Sequence, residues 1–165
     1  MTIQINYKNN NLKNPSNNLV FFVEQNFNIG SLKKHISNAE FSYINDLLKS
    51  SDLKKNLLLF QINSKKTIFL ISIKDNIKTS DIESLGAEFH GYINYDKKSD
   101  YFVNTDSISN KFESFLGYFL HGLKLKSYEF NIYKSKNDKK NISINVIGNK
   151  HKITIQNQLR FKAIE

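Results

Sequence analysis

One uninterrupted apolar segment, residues 19–23 with the sequence LVFFV, most constrains the fold of this chain. Successive side chains of a strand point to opposite faces of its sheet, so a strand that is apolar at every position must be covered on both faces. Segments with helical periodicity follow it along the chain and can provide that cover. The sequence therefore predicts an α/β fold, a three-layer α/β/α sandwich with the sheet in the middle.

Strands and helices alternate along the sequence. Continuous apolar runs or period-two alternation predict the strands, and apolar residues spaced three and four apart predict the helices. Residues 63–66 separate two predicted strands and are few enough for a hairpin, so the sheet is expected to be mixed. The predicted strands are residues 2–7, 19–23, 57–62, 67–73, 101–104 and 141–147, and the predicted helices are residues 38–49, 80–95 and 108–125.

Local signals refine the helices and leave one segment open. Asn38 is the predicted N-cap of the first helix, because a short polar side chain there can accept a backbone amide. Tyr92 is predicted to face inward with the apolar stripe of the second helix. Residues 151–165 are ambiguous between a strand and a helix, because their apolar residues fit either period.

The composition indicates one domain with ample core material. Hydrophobic residues form 39% of the 165 residues, including 13 phenylalanines and 8 tyrosines, which argues against a disordered chain. No apolar stretch approaches the roughly 18 residues of a membrane span, and the first residues lack the pattern of a signal peptide. The absence of cysteine excludes disulfides and thiolate metal sites. We therefore expect a cytoplasmic protein without a membrane partner.

The formal net charge of +9 raises the question of a polyanionic partner. Arg160 is the single arginine, so nearly all basic residues are lysine, which lacks the planar fork that reads guanine edges. The sequence therefore predicts a solvated lysine-rich surface and argues against a nucleic-acid partner, with a nucleic-acid-binding accessory module kept as an alternative. The lysines are scattered in pairs: Lys33–Lys34, Lys54–Lys55, Lys65–Lys66, Lys97–Lys98 and Lys139–Lys140.

The residues that could do chemistry form no recognisable constellation. Asp81, Glu83 and Glu88 are interpreted as helix charges rather than as an acid–base pair. Residues 86–91 carry glycines but do not follow a strand, as a phosphate-binding loop would. No catalytic, cofactor-binding or metal-binding residue is therefore predicted. The histidines also lack the spacing of a zinc site; they are His35, His90, His121 and His151.

Residues 112–136 carry the most distinctive pattern of the chain. A helical face of phenylalanine and leucine is followed by the alternation typical of an extended segment. The second half resembles a segment near the end of the amino-terminal domain of leucyl aminopeptidases, the cytosol aminopeptidase family. His121 stands where that family often has glutamate. The matching positions are Gly122, Leu125, Ser127, Tyr128, Phe130, Tyr133 and Lys134.

The resemblance implies a macro-domain-like fold and a non-catalytic role. Leucyl aminopeptidases release amino-terminal residues from peptides with two divalent ions, zinc or manganese. In that family the metal ligands and catalytic residues lie in a carboxy-terminal domain, and the amino-terminal domain packs outside a homohexamer and shapes access to its interior. Residues 163–165 carry no helix stop signal. Residues 1–165 are therefore expected to be the amino-terminal domain of a longer enzyme, without a cofactor of its own.

Structural roles are expected for the residues that carry the resemblance. Gly122 should permit the close approach of a strand, or a bend, because glycine is otherwise unfavourable in a helix. Tyr128 and Phe130 are expected to be core aromatics of an extended segment. Tyr133 and Lys134 are expected to face the catalytic domain.

A second, shorter match to the family is interpreted as a coincidence. Asn104, Thr105 and Asp106 resemble the start of the family's metal-binding signature, asparagine–threonine–aspartate–alanine–glutamate–glycine–arginine–leucine. Here the triplet continues as SIS, so the glutamate ligand and the arginine are missing. We interpret it as a strand-to-helix turn with Asp106 or Ser107 as the N-cap.

A small-ligand module is the other alternative, because macro-like domains elsewhere bind ADP-ribose. Such a module needs a glycine-rich loop after a strand. The 6 glycines of this chain do not cluster in such a run.

Overall fold

The computed structural model describes residues 2–8, 18–95, 99–112, 114–128 and 141–148. These residues form one sheet of six strands with α-helices packed on it. None of these helices is long and apolar enough to cross a bilayer. The strands are β1 (Thr2–Lys8), β2 (Asn18–Glu24), β3 (Leu57–Gln61), β4 (Thr67–Ile73), β5 (Asp100–Asn104) and β6 (Asn141–Ile147), and the helices are α1 (Asn38–Leu48), α2 (Thr79–Tyr95) and α3 (Phe115–Ser127).

The sheet has the order β1-β6-β5-β2-β4-β3 and is mixed, as predicted. Five strands run parallel, and β3 pairs antiparallel with β4 through the predicted hairpin. Its turn is stabilised by the Asn63 side chain, which accepts the amides of Lys65 and Lys66 at 2.9 Å. This is the local bonding that makes asparagine a common turn residue.

Two separate cores lie on the two faces of the sheet, which confirms the three-layer prediction. β2 contributes to both, because its side chains alternate between the faces and almost all of them are buried. Val20 and Phe22 join the core under α2 and α3, whereas Leu19, Phe21 and Val23 join the core under α1 and the irregular segment before it. The apolar segment therefore needs both layers of helix.

Three predictions about the helices are wrong in detail. The N-cap of α1 is Ser37 rather than Asn38: Ser37 Oγ accepts the Glu40 amide, and the Glu40 carboxylate accepts the Ser37 amide, a capping box. Tyr92 is 37% exposed rather than inward. Helix α3 begins at Phe115 rather than near Ile108, because Ile108 ends a 3₁₀ turn and buries its side chain completely.

Several other predictions concern residues outside the described ranges. They are the loop that holds Pro15, the extended segment after Tyr128, and the ambiguous segment 151–165.

Glu40 ties α1 to the β3–β4 hairpin, and this contact depends on pH. Its carboxylate lies 2.5 Å from Lys66 Nζ, and the two side chains are only 16% and 12% exposed. Burial raises the pKa of Glu40, but the hydrogen bonds from Lys66 and Ser37 outweigh burial and hold the pKa below its ordinary value of 4.5. A carboxyl whose pKa is depressed on folding stabilises the fold above its unfolded pKa, and this contribution is lost as the pH falls through the folded pKa.

We expect the substitution Glu40→Gln to lower the free energy of unfolding by about 1–2 kcal/mol near neutral pH, because it removes the charge but keeps an acceptor for Ser37. The difference from the parent chain should shrink as the pH falls below 4.5. Urea unfolding at a series of pH values measures this. Asp46→Asn is the matched control, since the Asp46–Lys49 pair is 67% and 71% exposed and should contribute less than about 0.5 kcal/mol. An equal loss for Glu40→Gln at every pH would contradict the prediction.

Candidate functional site

The topology places one switch point at the carboxyl ends of β2 and β5. The chain leaves β2 towards β4 on one side and leaves β5 towards β6 on the other. In α/β sheets ligands bind in the crevice outside the strand ends at such a point. β5 pairs only with residues Asn18 to Val20 of β2, so the second half of β2 runs on beyond the end of β5. This is where a site would be expected from the fold.

The loop after β5 fills this crevice with residues of the chain itself. Phe22 in β2 donates its amide to Ser107 Oγ at 2.9 Å, and Ser107 Oγ donates to the Asn104 carbonyl at 2.7 Å. The serine thereby satisfies an amide that β5 is too short to reach. Ile108 follows with a fully buried side chain in the core under α2 and α3.

The same loop also closes the end of β6. Thr105 is fully buried and donates its hydroxyl to the Ile147 carbonyl at 3.0 Å. Gly148 follows with a φ of +111°, and a Cβ at this position would overlap Thr105 Oγ1 and lie 3.0 Å from the Asp106 carboxyl carbon. Only glycine adopts this backbone without strain and leaves room for the threonine.

A small polar rim remains around the closed crevice. Asn104 Nδ2 lies 3.5 Å from His35 Nδ1, and the His35 ring stacks on Phe21 with centroids 5.9 Å apart. The Asp106 amide donates to Asn104 Oδ1 at 2.9 Å. The triplet is therefore a turn, as predicted, but Asn104 rather than Asp106 or Ser107 caps it. The asparagine–x–aspartate pattern is typical of an Asx turn and could have indicated the Asn104 cap from the sequence.

The backbone after β2 is strained where an apolar groove begins. Asn26 and Phe27 have φ values of 61° and 54°, a left-handed conformation that asparagine tolerates and phenylalanine rarely adopts. The Phe27 ring is buried against the core under α1. It lines a groove of ≈ 400 Å³ together with Ile29, Phe41 and Leu53, among others. The sequence carried no signal for this strain.

A smaller and more polar cleft of ≈ 210 Å³ lies at the end of β4, against the first turns of α2. Lys74, Asp81 and Glu88 line it. Both carboxylates belong to α2 and line the same cleft.

The structure does not gather the histidines into a site. His35 lies at the switch-point rim, and His90 is buried in α2. His121 Nδ1 lies 2.8 Å from Glu83 Oε1, so this pair joins α3 to α2. His151 lies outside the described residues. No cluster of three or more side chains suited to bind a metal occurs within the described ranges.

Of the described residues in the family-like segment, Gly122 and Ser127 have packing or hydrogen-bonding roles, whereas Leu125 and Tyr128 are exposed. A Cβ on Gly122 would overlap the Glu83 carbonyl, so this glycine permits the close approach of a helix rather than of a strand. Ser127 is buried and donates its hydroxyl to the Lys124 carbonyl at 2.7 Å. Tyr128 is 64% exposed, so its assignment to the core is wrong. Phe130, Tyr133 and Lys134 lie outside the described residues.

Several lysines are engaged within the chain rather than simply solvated. Lys8 and Lys33 lie over the rings of Phe102 and Phe41, with their nitrogens 5.6 Å and 5.0 Å from the centroids. Lys124 is 8% exposed. The prediction of a solvated lysine surface is therefore wrong for Lys124. Its position on an otherwise apolar face of the helix could have predicted this burial.

The sequence matches no protein-family profile and no curated protein sequence. Similar solved structures include a leucine aminopeptidase of tomato, a K354E mutant, at a TM-score of 0.66 and 15% identity; the match covers 99% of this chain and 35% of that one. The macrodomain of Thermus aquaticus DarG matches at 0.58 and 11% identity, over 89% of this chain and 99% of that one. A cytosol aminopeptidase of Coxiella burnetii matches at a TM-score of 0.50 and 14% identity, over 85% of this chain and 28% of that one.

At these identities the likeness shows the fold alone. The predicted macro-domain-like α/β fold is confirmed by the mixed sheet and by the macrodomain match. The chain spans 35% of the tomato enzyme and 28% of the Coxiella enzyme. It thus shares its fold with part of each leucine or cytosol aminopeptidase chain and with nearly the whole of a macrodomain.

Proposed function

We propose that this chain is the non-catalytic amino-terminal domain of a leucyl aminopeptidase-type enzyme, which serves assembly and access to the active site. The fold match over 99% of this chain and 35% of the tomato leucine aminopeptidase supports this proposal. On this proposal, two divalent ions (zinc or manganese) and the peptide substrate are bound by a catalytic domain outside residues 1–165. The complete cytoplasmic enzyme would then be a homohexamer.

The filled switch point is the observation that carries this proposal. A module that binds a small ligand needs open space at the ends of β2 and β5. Here Ser107 bonds to the backbone of β2 in this space, and Ile108 follows it with a fully buried side chain. Rebuilding the crevice for a ligand would mean removing core side chains. A non-catalytic domain that only packs against other domains, here called a framework, does not need open space at the strand ends.

The two divalent ions do not fit the residues described here. Two-metal hydrolytic sites need several carboxylate or imidazole ligands gathered around ions that lie about 3.5–4 Å apart. Within the described ranges no three such side chains come together. No catalytic step is therefore assigned to a residue within these ranges.

An activity assay tests the proposal directly. We expect the purified chain with added Mn²⁺ or Zn²⁺ not to hydrolyse a leucine chromogenic amide faster than metal alone. Turnover that co-elutes with the chain and stops with chelator would overturn the non-catalytic assignment.

The gene provides a second and independent measurement. We expect the reading frame to continue past the codon of Glu165 into a segment with the asparagine–threonine–aspartate–alanine–glutamate–glycine–arginine–leucine signature of the family. A frame that continues into an unrelated domain, or that stops there, would contradict membership in such an enzyme even if the assay shows no activity.

A small-ligand module is the second candidate, because the chain matches 99% of the length of a DarG macrodomain. Macro-like domains elsewhere bind ADP-ribose, so ADP-ribose is the ligand to test. Titration calorimetry with ADP-ribose separates the two candidates. Micromolar binding that is lost on Ser107→Tyr, a substitution that adds bulk at the crevice, would favour the module, and no heat of binding would favour the framework.

A further inference from the structure

β3 ends the sheet among the strands that the structure describes, and its hairpin register shows which backbone groups face outward. The Ser72 amide donates to the Asn56 carbonyl, and the Ile62 amide donates to the Lys66 carbonyl. Hydrogen-bonded pairs alternate along an antiparallel ladder, so the even-numbered residues of β3 bond to β4. The odd-numbered residues, Leu57, Leu59 and Gln61, therefore direct their N–H and C=O groups away from the sheet.

The strand at the opposite edge, β1, is protected by a lysine. Lys124 in α3 reaches it and donates from Nζ to the Ile3 carbonyl at 2.9 Å. A lysine on the backbone of an edge strand is one of the devices that prevent further pairing. β3 has none of these within its five residues, LLLFQ, which carry no charge and no proline. Leu59, at its centre, is 44% exposed.

Positive charge flanks this open edge at both ends. Lys54 and Lys55 precede β3, Lys65 follows it in the turn, and all three are exposed. Lys66 is already paired with Glu40. In antiparallel pairing with a second copy, the lysines at the start of one strand would lie beside those at the end of the other. The charges therefore disfavour a second copy and favour an acidic partner.

We propose that β3 binds an extended peptide segment of another protein, which adds a strand to the sheet and has an apolar centre with acidic residues on both sides. The outward N–H and C=O groups of Leu59 and Gln61, which are both exposed, provide the main-chain bonds, whereas Leu57 is only 1% exposed and is not part of the edge that the peptide pairs with. Leu59 contacts the apolar centre, and the flanking lysines contact the carboxylates. This surface is separate from the filled switch point, so the inference does not rest on the proposed function.

Hydrogen exchange on the whole chain tests the location. The probe is a synthetic peptide of alternating valine and threonine between pairs of glutamates. We expect it to slow exchange of the Leu59 and Gln61 amides, while those of Leu58 and Phe60, which already bond to β4, stay unchanged. Protection confined to other regions, or the same protection of β3 without peptide at increasing protein concentration, would overturn the proposal, the latter because it indicates a second copy.

Two control peptides separate the contribution of the charges from that of the main-chain hydrogen bonds. Replacing the glutamates by lysines should abolish measurable binding, because lysine would then face lysine. N-methylation of both the valine and the threonine amides removes the main-chain donors between the glutamate pairs and should have the same effect. Equal binding of the methylated peptide would contradict strand addition.

Variants of the chain complete the test. Leu59→Pro removes an outward N–H that β4 does not use, and proline is tolerated at such edge positions; it should abolish binding. Should this variant unfold, Lys54→Glu with Lys55→Glu keeps the strand intact and should weaken binding by about tenfold, because two exposed attractions become repulsions. Tyr43→Ala is the control, since Tyr43 is 46% exposed in α1. Unchanged binding in the double variant would overturn the charge argument.

Discussion

We expect Gly122→Ala to lower the free energy of unfolding by about 3 kcal/mol, the upper part of the range for overpacked sites. The reason is a reciprocal contact of α2 and α3. A Cβ on Gly122 would lie 2.6 Å from the Glu83 Cα, and a Cβ on Gly86 would lie 2.8 Å from the Leu123 nitrogen. Both clashes involve backbone atoms, so no side-chain rotation relieves them. Gly86→Ala should therefore cost a similar amount, and urea unfolding measures both.

Gly91→Ala in the same helix α2 is the matched control. A Cβ at Gly91 would meet no atom within 4 Å beyond its chain neighbours and the backbone of its own helix. The substitution there removes only the entropic cost of a helical glycine and should raise stability by about 0.5–1 kcal/mol. If Gly122→Ala behaves like Gly91→Ala, the helices do not cross as closely as described.

The second large effect is expected for Phe119→Ala, at about 3–5 kcal/mol. Phe119 is fully buried in α3 and lies at the centre of an aromatic cluster. Its ring centroid lies 5.2 Å from that of Phe22, 5.8 Å from Phe89 and 6.2 Å from Phe115. Truncation leaves a cavity between β2 and two helices that the rigid sheet cannot close. Urea unfolding with an unchanged m value checks that only stability is affected.

Tyr128→Ala is the control for this prediction. Tyr128 directly follows the helix that holds Phe119 but is 64% exposed, so its loss should change stability by less than about 0.5 kcal/mol. Equal effects at both positions would show that Tyr128 is buried after all.

The sequence predicted most of the elements because their signals are local. Residues 67–73 and 141–147 match β4 and β6, and the hairpin turn followed from the short polar segment between two strands. The start of α3 was missed because helical periodicity extends back to Ile108, whereas the core under α2 and α3 draws Ile108 into a 3₁₀ turn. Tertiary burial overrides a weak local preference in such cases.

Predictions about the site failed where they depended on residues far apart in sequence. The role of Ser107 arises from β2, 85 positions away, where Phe22 needs an acceptor. Gly122 was recognised as a close-approach position, but its partner was taken to be a strand and is helix α2. The left-handed backbone at Phe27 has no sequence signature, because phenylalanine rarely adopts this conformation.

The sequence by itself determined the layers of this protein. The continuous apolar run of β2, residues 19–23, requires cover on both faces, and amphipathic helices that can provide it follow later in the chain. Tertiary structure alone decided that the loop after β5 enters the switch point and that β3 lies at an edge of the described sheet. Both depend on the order of strands in the sheet, and that order is set by the packing of distant segments. The periodicity of any one segment does not contain this information.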